Sequence, residues 1–469
     1  MEKEQMNKYK KLVKNSFIFA LGNFGSKVLQ FALVPLYSYT LSTAQFGHVD
    51  LVTTVISLLL PLICFDIYDA VFRFSLDSDR KKAKDVFKTG FIFVMLVTVS
   101  MLLILFIFFT QISNYYIVII LLIVTMWYSL ISNYVRAIGL VKIFVIAGII
   151  DTFSVAILNI FLLLILRKGV NGYFLSIIGG FVISLIYLLF SGKLFLEYKE
   201  GTYSNKYLKN MLVYSIPLIP NSLTWWLNSS SDRYFILLFI GVGANGLYAM
   251  ASKIPTVVNM FANIFFQSWQ MSVVEEYEKS GNKEFITNIF NLFLTILFLC
   301  SIGILAIIKP IFGNFIDPTY YQAWTVIPFI LLSVIYSSIA SFLGTIYTAS
   351  KRTFPVFVTT LIGAIVNIIA SIIFIKILGI NGAALANIIS FFVVLLIRYR
   401  DIYKRGKIGV NYFELIANHV VFLILSWLLF IIKNNLIYFL MCSALILVIL
   451  FVMKEKLFFF LKLLRNRKN

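Results

Sequence analysis

Runs of apolar residues separated by brief polar punctuation fill this chain, and each run is roughly 20 residues long, enough to cross a hydrocarbon core as a helix. We place about fourteen such spans. They lie near 13–40, 46–72, 89–111, 115–136, 143–166, 171–194, 208–240, 246–274, 285–308, 321–348, 354–376, 381–401, 413–432 and 435–453. The connections LSTAQF, QISNY, RKGVN and GVGAN hardly clear a headgroup layer, and only 309–320, KPIFGNFIDPTY, promises a loop of any length. The expected fold class is all-α, a polytopic membrane protein without an extramembrane domain that could do chemistry in water.

The spans group into halves. A polar stretch at 193–209, KLFLEYKEGTYSNKYLK, follows the sixth span and reads as a hinge. GVNG at 169–172 recurs as GING at 379–382, each between the fifth and sixth spans of its half, with Asn159 and Asn367 at matching places upstream. QFGHV (45–49) and ANGLY (244–248) form a second such pair. Six spans per half give both halves one orientation, so they read as parallel repeats of the kind found in one class of secondary transporter. The expected organisation is a six-helix bundle at 1–194, a cytoplasmic linker at 195–207, a second bundle at 208–404, and two extra helices with a basic tail at 405–469. That tail, KEKLFFFLKLLRNRKN (454–469), mixes apolar and basic residues as an interfacial helix does.

Composition agrees with the pattern: 61% of residues are apolar and 13% charged, against about 25% charged in soluble domains. The net charge of +20 would suit a nucleic-acid partner, but its distribution argues against one. Arg167, Lys168, Lys309, Lys376 and Lys433 fall at outer ends and Lys27, Arg233 and Lys253 inside spans, while the other Lys and Arg residues fall at inner ends. The bias orients the chain with both termini cytoplasmic and adds attraction to anionic membrane lipids. No cleavable leader is expected after MEKEQMNKYKKLVKN. Cys64, Cys300 and Cys442 lie within apolar spans and match no metal or redox spacing. No phosphate loop, paired catalytic carboxylates or nucleophile constellation is present, so no enzyme is expected.

The candidate chemistry is polar residues inside apolar spans. A charge there costs from about 2.5 kcal/mol upward and normally faces a partner or a wet cavity. The stretch 221–255 carries Asp232, Arg233 and Lys253 beside a short turn, with Trp225, Trp226 and Asn228 deeper in a helix that Pro217 and Pro220 should kink. One arrangement pairs Asp232 with Lys253 across helices and leaves Arg233, about 100° round the helix, facing a cavity. Lys27 sits near the middle of the first span beside Asn23. Asp151 either binds a coupling proton or sodium ion or neutralises Lys27. Asp69 and Arg73, four residues apart, read as a local ion pair. His48 and His419 carry no ligand pattern. A cavity lined mainly by cations suggests passage of something anionic; a purely structural charge cluster is the alternative.

Two six-helix bundles with two extra helices, SSSDRYFILLFIGVGANGLYAMASKIP after a Pro- and Asn-containing half-helix, and GINGAALANIIS (379–390) resemble the Wzx-type polysaccharide flippases. These belong to the superfamily that includes the MATE exporters and the lipid II flippase. The resemblance implies export of an undecaprenyl-pyrophosphate-linked oligosaccharide, as for O-antigen or capsule, across the bacterial cytoplasmic membrane by alternating access. It also implies lipid-linked oligosaccharide, membrane lipids and other polysaccharide-assembly proteins as partners, and no cofactor beyond an ion gradient. Under it Lys27, Arg233, Lys253, Asn23, Trp225, Trp226 and Asn228 would bind substrate, and Asp151 and Asp232 would carry the coupling ion or balance charge. The rival readings are a MATE-type drug antiporter, which would line its cavity mainly with carboxylates, and a membrane glycan polymerase or ligase, which needs large outer loops.

Overall fold

The computed structural model describes residues 29, 31–76, 79–107, 116–277, 283–350, 352, 354–405, 408–409, 411–432 and 434–452. Among these every regular element is helical. Ten helices are long and apolar enough to cross a membrane. The remaining expected spans are interrupted, polar or incompletely described. The first span is described only from Leu29, and as the helix Val34–Thr40 after it. The seventh is the broken and polar series Asn205–Ser215, Ile216–Leu218 and Ile219–Phe239. The eighth divides at Ile254–Pro255 into Val242–Lys253 and Thr256–Tyr277. Pro217 and Pro220 explain the break in the seventh: proline has no N–H to donate, and the chain tightens into a short 3-10 turn.

Contacts divide the chain into two compact units, Val28–Ser230 and a second one that includes Ser231–Asn469. The boundary falls within the helix Ile219–Phe239.

In the first unit, Ser42 starts the helix Thr43–Cys64 with a reciprocal capping box. Its hydroxyl accepts from the Gln45 N–H, and the Gln45 side chain accepts from the Ser42 N–H. That helix ends in a sharp break where Phe65 and Asp66 both adopt left-handed backbone (φ 52° and 50°) before Ile67–Leu76 begins. Phe87 stacks on Tyr134 at 4.2 Å in the core. The fifth span turns π-helical at Ile160–Ile165.

The segment after the sixth span is not loose. Leu194–Glu200 is helical and is fastened along the start of Arg80–Ile107. Arg80 donates to Glu197 at 2.7 Å, Lys84 pairs with Glu200, Lys88 donates to the Gly201 carbonyl at 2.9 Å, and Thr202 donates twice to Asp85. Gly201 is required there, because a Cβ would lie 2.4 Å from the Lys84 carbonyl oxygen.

In the second unit, Trp269 lies between Phe265, Phe285 and Phe342. The helix Lys283–Asn314 continues past Pro310. A 3-10 segment, Pro318–Val326, is capped by Asp317 and leads directly into Ile327–Ala349. The expected outer loop at 309–320 is therefore almost entirely helical, and only Phe315–Asp317 lie between the elements. Lys309, read as a topological charge, is 8% exposed and donates to the Ile432 carbonyl at the end of Tyr412–Ile431. It fastens the two extra helices to the unit.

Arg398, one of the basic residues expected at inner ends, is 2% exposed. Its guanidinium donates to the hydroxyls of Thr359 and Thr360 and the carbonyls of Ala340 and Val356. Neutral oxygens from two neighbouring helices replace the water it would otherwise bind.

Gly169 and Gly379 both take positive φ, 53° and 60°. Gly382 lets the chain pass so closely that a Cβ would meet the Phe374 carbonyl oxygen at 2.0 Å.

Candidate functional site

Asp232 is 1% exposed in the helix Ile219–Phe239. A carboxylate with that burial needs several donors. It has them: Oδ2 accepts from the Tyr248 hydroxyl at 2.6 Å and from the Asn387 side-chain amide at 2.9 Å, while Oδ1 accepts from the Arg233 N–H at 3.0 Å. The Arg233 guanidinium completes the shell, its Nη1 lying 3.4 Å from Oδ1.

The donors are themselves placed by further bonds. Asn387 Oδ1 accepts from the Asn367 amide at 2.7 Å, and Asn367 Oδ1 accepts from the Ser231 hydroxyl at 3.2 Å. Asn387 also donates to the Tyr248 hydroxyl at 3.1 Å. The network ties four helices together: Ile219–Phe239, Val242–Lys253, Phe354–Leu378 and Ile380–Lys404.

This arrangement revises the sequence expectation in two respects. Asp232 is paired with Tyr248, Asn387 and Arg233 rather than with Lys253, which lies at the last residue of Val242–Lys253. Arg233 does not point away from its neighbour either. Its side chain is long enough to fold back along the helix, and its guanidinium lies 5.9 Å from the Tyr248 ring centre. The Arg233 side chain keeps 17% exposure, against 2% for Asp232.

Trp225, Trp226 and Asn228 belong to the first unit. Trp225 is 41% exposed and Asn228 2%. Trp226 spends its indole N–H on the Thr54 carbonyl at 3.0 Å, anchoring its helix to Thr43–Cys64. Asp151, also in the first unit, has a buried Oδ1 without a hydrogen-bond partner among the described residues, and a Cβ on Gly180 would lie 2.9 Å from that oxygen. Lys27 and Asn23 lie outside the described residues.

Asp69 and Arg73 do not form the expected pair. The charges that act on Asp69 are Asp66 and, on a neighbouring helix, Arg136. His419 packs against Phe298, 4.7 Å between ring centres, and its Nδ1 lies 2.8 Å from the Leu415 carbonyl.

Sequence reasoning missed Tyr248, Asn367 and Asn387 as parts of the site. The available signal was that a buried Asp demands donors, and these are polar residues within otherwise apolar stretches. No cluster of three His, Cys, Asp or Glu side chains suited to a metal occurs among the described residues. The polar groups of Asp232, Asn367, Asn387, Tyr248 and Ser231 are instead hydrogen-bonded to one another, with Asn387 presenting its amide nitrogen to the carboxylate.

A family model described as polysaccharide biosynthesis protein matches residues 12–270. The Lsg locus putative protein 1 of Haemophilus influenzae is 24% identical over 272 residues, covering 53% of this chain and 63% of that protein. Thus the match spans less than two thirds of that relative's length. Among solved structures, the lipid II flippase MurJ in an inward closed conformation superposes with a TM-score of 0.73 at 14% identity, covering 94% of this chain and 100% of that one. An inward-facing multidrug resistance MATE family transporter of the MOP superfamily gives 0.68 at 12% identity, covering 81% and 96%. The architecture is the one these two structures share.

Proposed function

The chain belongs to the polysaccharide biosynthesis protein family, and we propose that it is a flippase for an undecaprenyl-pyrophosphate-linked oligosaccharide. It moves the repeat unit from the inner to the outer leaflet of the bacterial cytoplasmic membrane by alternating access, with both termini cytoplasmic. The observation that carries this reading is the half-buried Arg233 held against the buried Asp232, in a fold shared with a lipid-linked-precursor flippase. An anionic diphosphate needs a cation where the bilayer would otherwise exclude it, and a guanidinium presents parallel donors that match phosphate oxygens.

In this reading Arg233, Lys253 and Lys27 attract the diphosphate, with Asn23 beside Lys27. Trp225, the exposed member of its pair, stacks on sugar, while Trp226 and Asn228 shape the helix beneath it. Asp232, with its oxygen-rich network, carries the coupling proton or sodium ion, and Asp151 offers a second acceptor in the first unit. The partners are the lipid-linked substrate, membrane lipids and other proteins of polysaccharide assembly.

The second reading is a MATE-type cation-coupled antiporter, favoured by the fold likeness to such transporters. A clean deletion separates the two. The flippase reading expects accumulation of lipid-linked oligosaccharide and loss of surface polysaccharide. Normal surface polysaccharide with altered drug tolerance supports the antiporter instead.

A further inference from the structure

The cations at the linker end of the first unit differ in how they are held. Arg80, Lys84 and Lys88 are spent on Glu197, Glu200 and the Gly201 carbonyl, fastening the segment after the sixth span. Arg136 does nothing of this kind. It stands in the last turn of Tyr116–Ala137, exposed, with its Cζ 4.2 Å from the Phe72 ring centre and 5.7 Å from that of Phe144. The two rings come from different helices, Ile67–Leu76 and Val141–Asn159.

One edge of this guanidinium is used, with Nη2 donating to Asn133 Oδ1 at 2.9 Å. Nε and Nη1 donate to no protein group among the described residues. Asp69 lies near enough to act on it electrostatically without a direct ion pair. The base beneath is rigid: Tyr134 and Val135 are fully buried, and the Tyr134 hydroxyl donates to Glu197 at 2.8 Å. Aromatic faces fix the plane of a guanidinium without consuming its N–H groups, at about 0.5–1 kcal/mol for an exposed site. Because Nη2 gives up only one of its two N–H groups, one parallel pair of donors, Nε with Nη2 or Nη1 with Nη2, stays open on this exposed side chain.

Its position follows from connectivity. The turn at 138–140 and the fastened segment at 192–204 lie at the same end of the unit, opposite the turns at 41–42 and 166–168. With the amino terminus inside, that end is cytoplasmic.

We propose that Arg136, clamped between Phe72 and Phe144, is the point at which the diphosphate headgroup of the lipid-linked substrate docks before translocation. This rests on the flippase reading. The occupant is a diphosphate rather than a bulk phospholipid headgroup because the open donor pair matches two oxygens of one phosphate and the adjoining phosphate adds further negative charge that a single phosphodiester lacks. Asp69 supplies the counter-charge that an arriving diphosphate displaces.

The test uses the purified full-length protein in phosphatidylcholine nanodiscs. Farnesyl diphosphate serves as the short-chain probe, farnesol as the control without phosphate, and phosphatidylglycerol as the generic anionic lipid. Arg136→Gln should weaken diphosphate binding by roughly tenfold or more and leave farnesol unchanged. Arg136→Lys should recover part of the loss, and Phe72→Leu and Phe144→Leu should each weaken binding severalfold.

Wild-type binding by the Gln variant overturns the proposal, as does an equal dependence of phosphatidylglycerol on Arg136. Collapse of the fold in all these variants marks the aromatic clamp as structural and also overturns it. If Arg136→Gln loses diphosphate binding while a deletion strain exports normally, the flippase reading falls and the docking point stands. Unchanged binding with blocked export in the deletion strain removes the docking point and leaves the reading.

Discussion

Asn387 donates to Asp232 across two helices, Nδ2 to Oδ2 at 2.9 Å, and holds the buried carboxylate in register with Tyr248 and Asn367. Removing that donor leaves Asp232 Oδ2 with the Tyr248 hydroxyl alone and strands the Asn367 amide. Asn387→Ala should therefore lower stability by about 1–3 kcal/mol, read as a fall in the detergent-solubilised melting temperature. Asp232→Asn keeps the shape and, through its one carbonyl oxygen, the bonds from Tyr248 and Asn387, so it should stay folded and lose transport. A fully active Asp232→Asn protein would remove this residue from ion coupling.

Arg233 offers a graded series. Arg233→Ala should abolish export at normal protein level, because a lost charged contact is worth about 1.5–3 kcal/mol, a tenfold to hundredfold loss of affinity. Arg233→Lys keeps the charge without the fork and should retain partial activity. A purely structural pair gives another pattern: Arg233→Ala would reduce protein level, and adding Asp232→Asn would restore it. Export assays alongside quantitative membrane immunoblots separate the two.

The segment after the sixth span gives a prediction about stability. Glu197→Ala removes the acceptor for both Arg80 and the buried Tyr134 hydroxyl, and an unsatisfied buried hydroxyl costs about 1–3 kcal/mol. Limited proteolysis should then cut within 200–204 far faster than in the wild type. Cleavage at the wild-type rate would show that the remaining bonds suffice to hold the segment.

Close backbone approach makes Gly382 a sensitive position. A Cβ there would sit 2.0 Å from the Phe374 carbonyl oxygen, so Gly382→Ala must open the turn after Phe354–Leu378. We expect poor membrane accumulation. Gly303→Ala, where a Cβ would meet nothing within 4 Å, should accumulate normally. Equal levels for the two would contradict the tight turn.

Much of this architecture was legible because a membrane writes its thickness into sequence. The apolar runs gave the spans, the prolines at 217 and 220 gave the break in the seventh, and the first glycines of GVNG and GING both take positive φ. What stayed hidden depends on contacts between helices remote in sequence. Nothing in the local pattern around Lys309 says that it caps a helix ending more than a hundred residues later, nor that Arg398 finds four neutral acceptors instead of water. Asp232 was found by its charge, but its partners were not. Lys253 looked suitable by sign, while the fold offered a hydroxyl and an amide nearer at hand.

The most direct test of the central claim is translocation by the purified protein. Proteoliposomes would carry a fluorescent polyprenyl-diphosphate oligosaccharide in one leaflet, with its arrival in the other read by quenching or enzymatic trimming from outside. Wild-type protein should move the probe when a proton or sodium gradient is imposed, and Arg233→Ala and Asp232→Asn should fall to the level of empty liposomes. Transport of the same probe at equal rates by wild type and both variants would contradict the account.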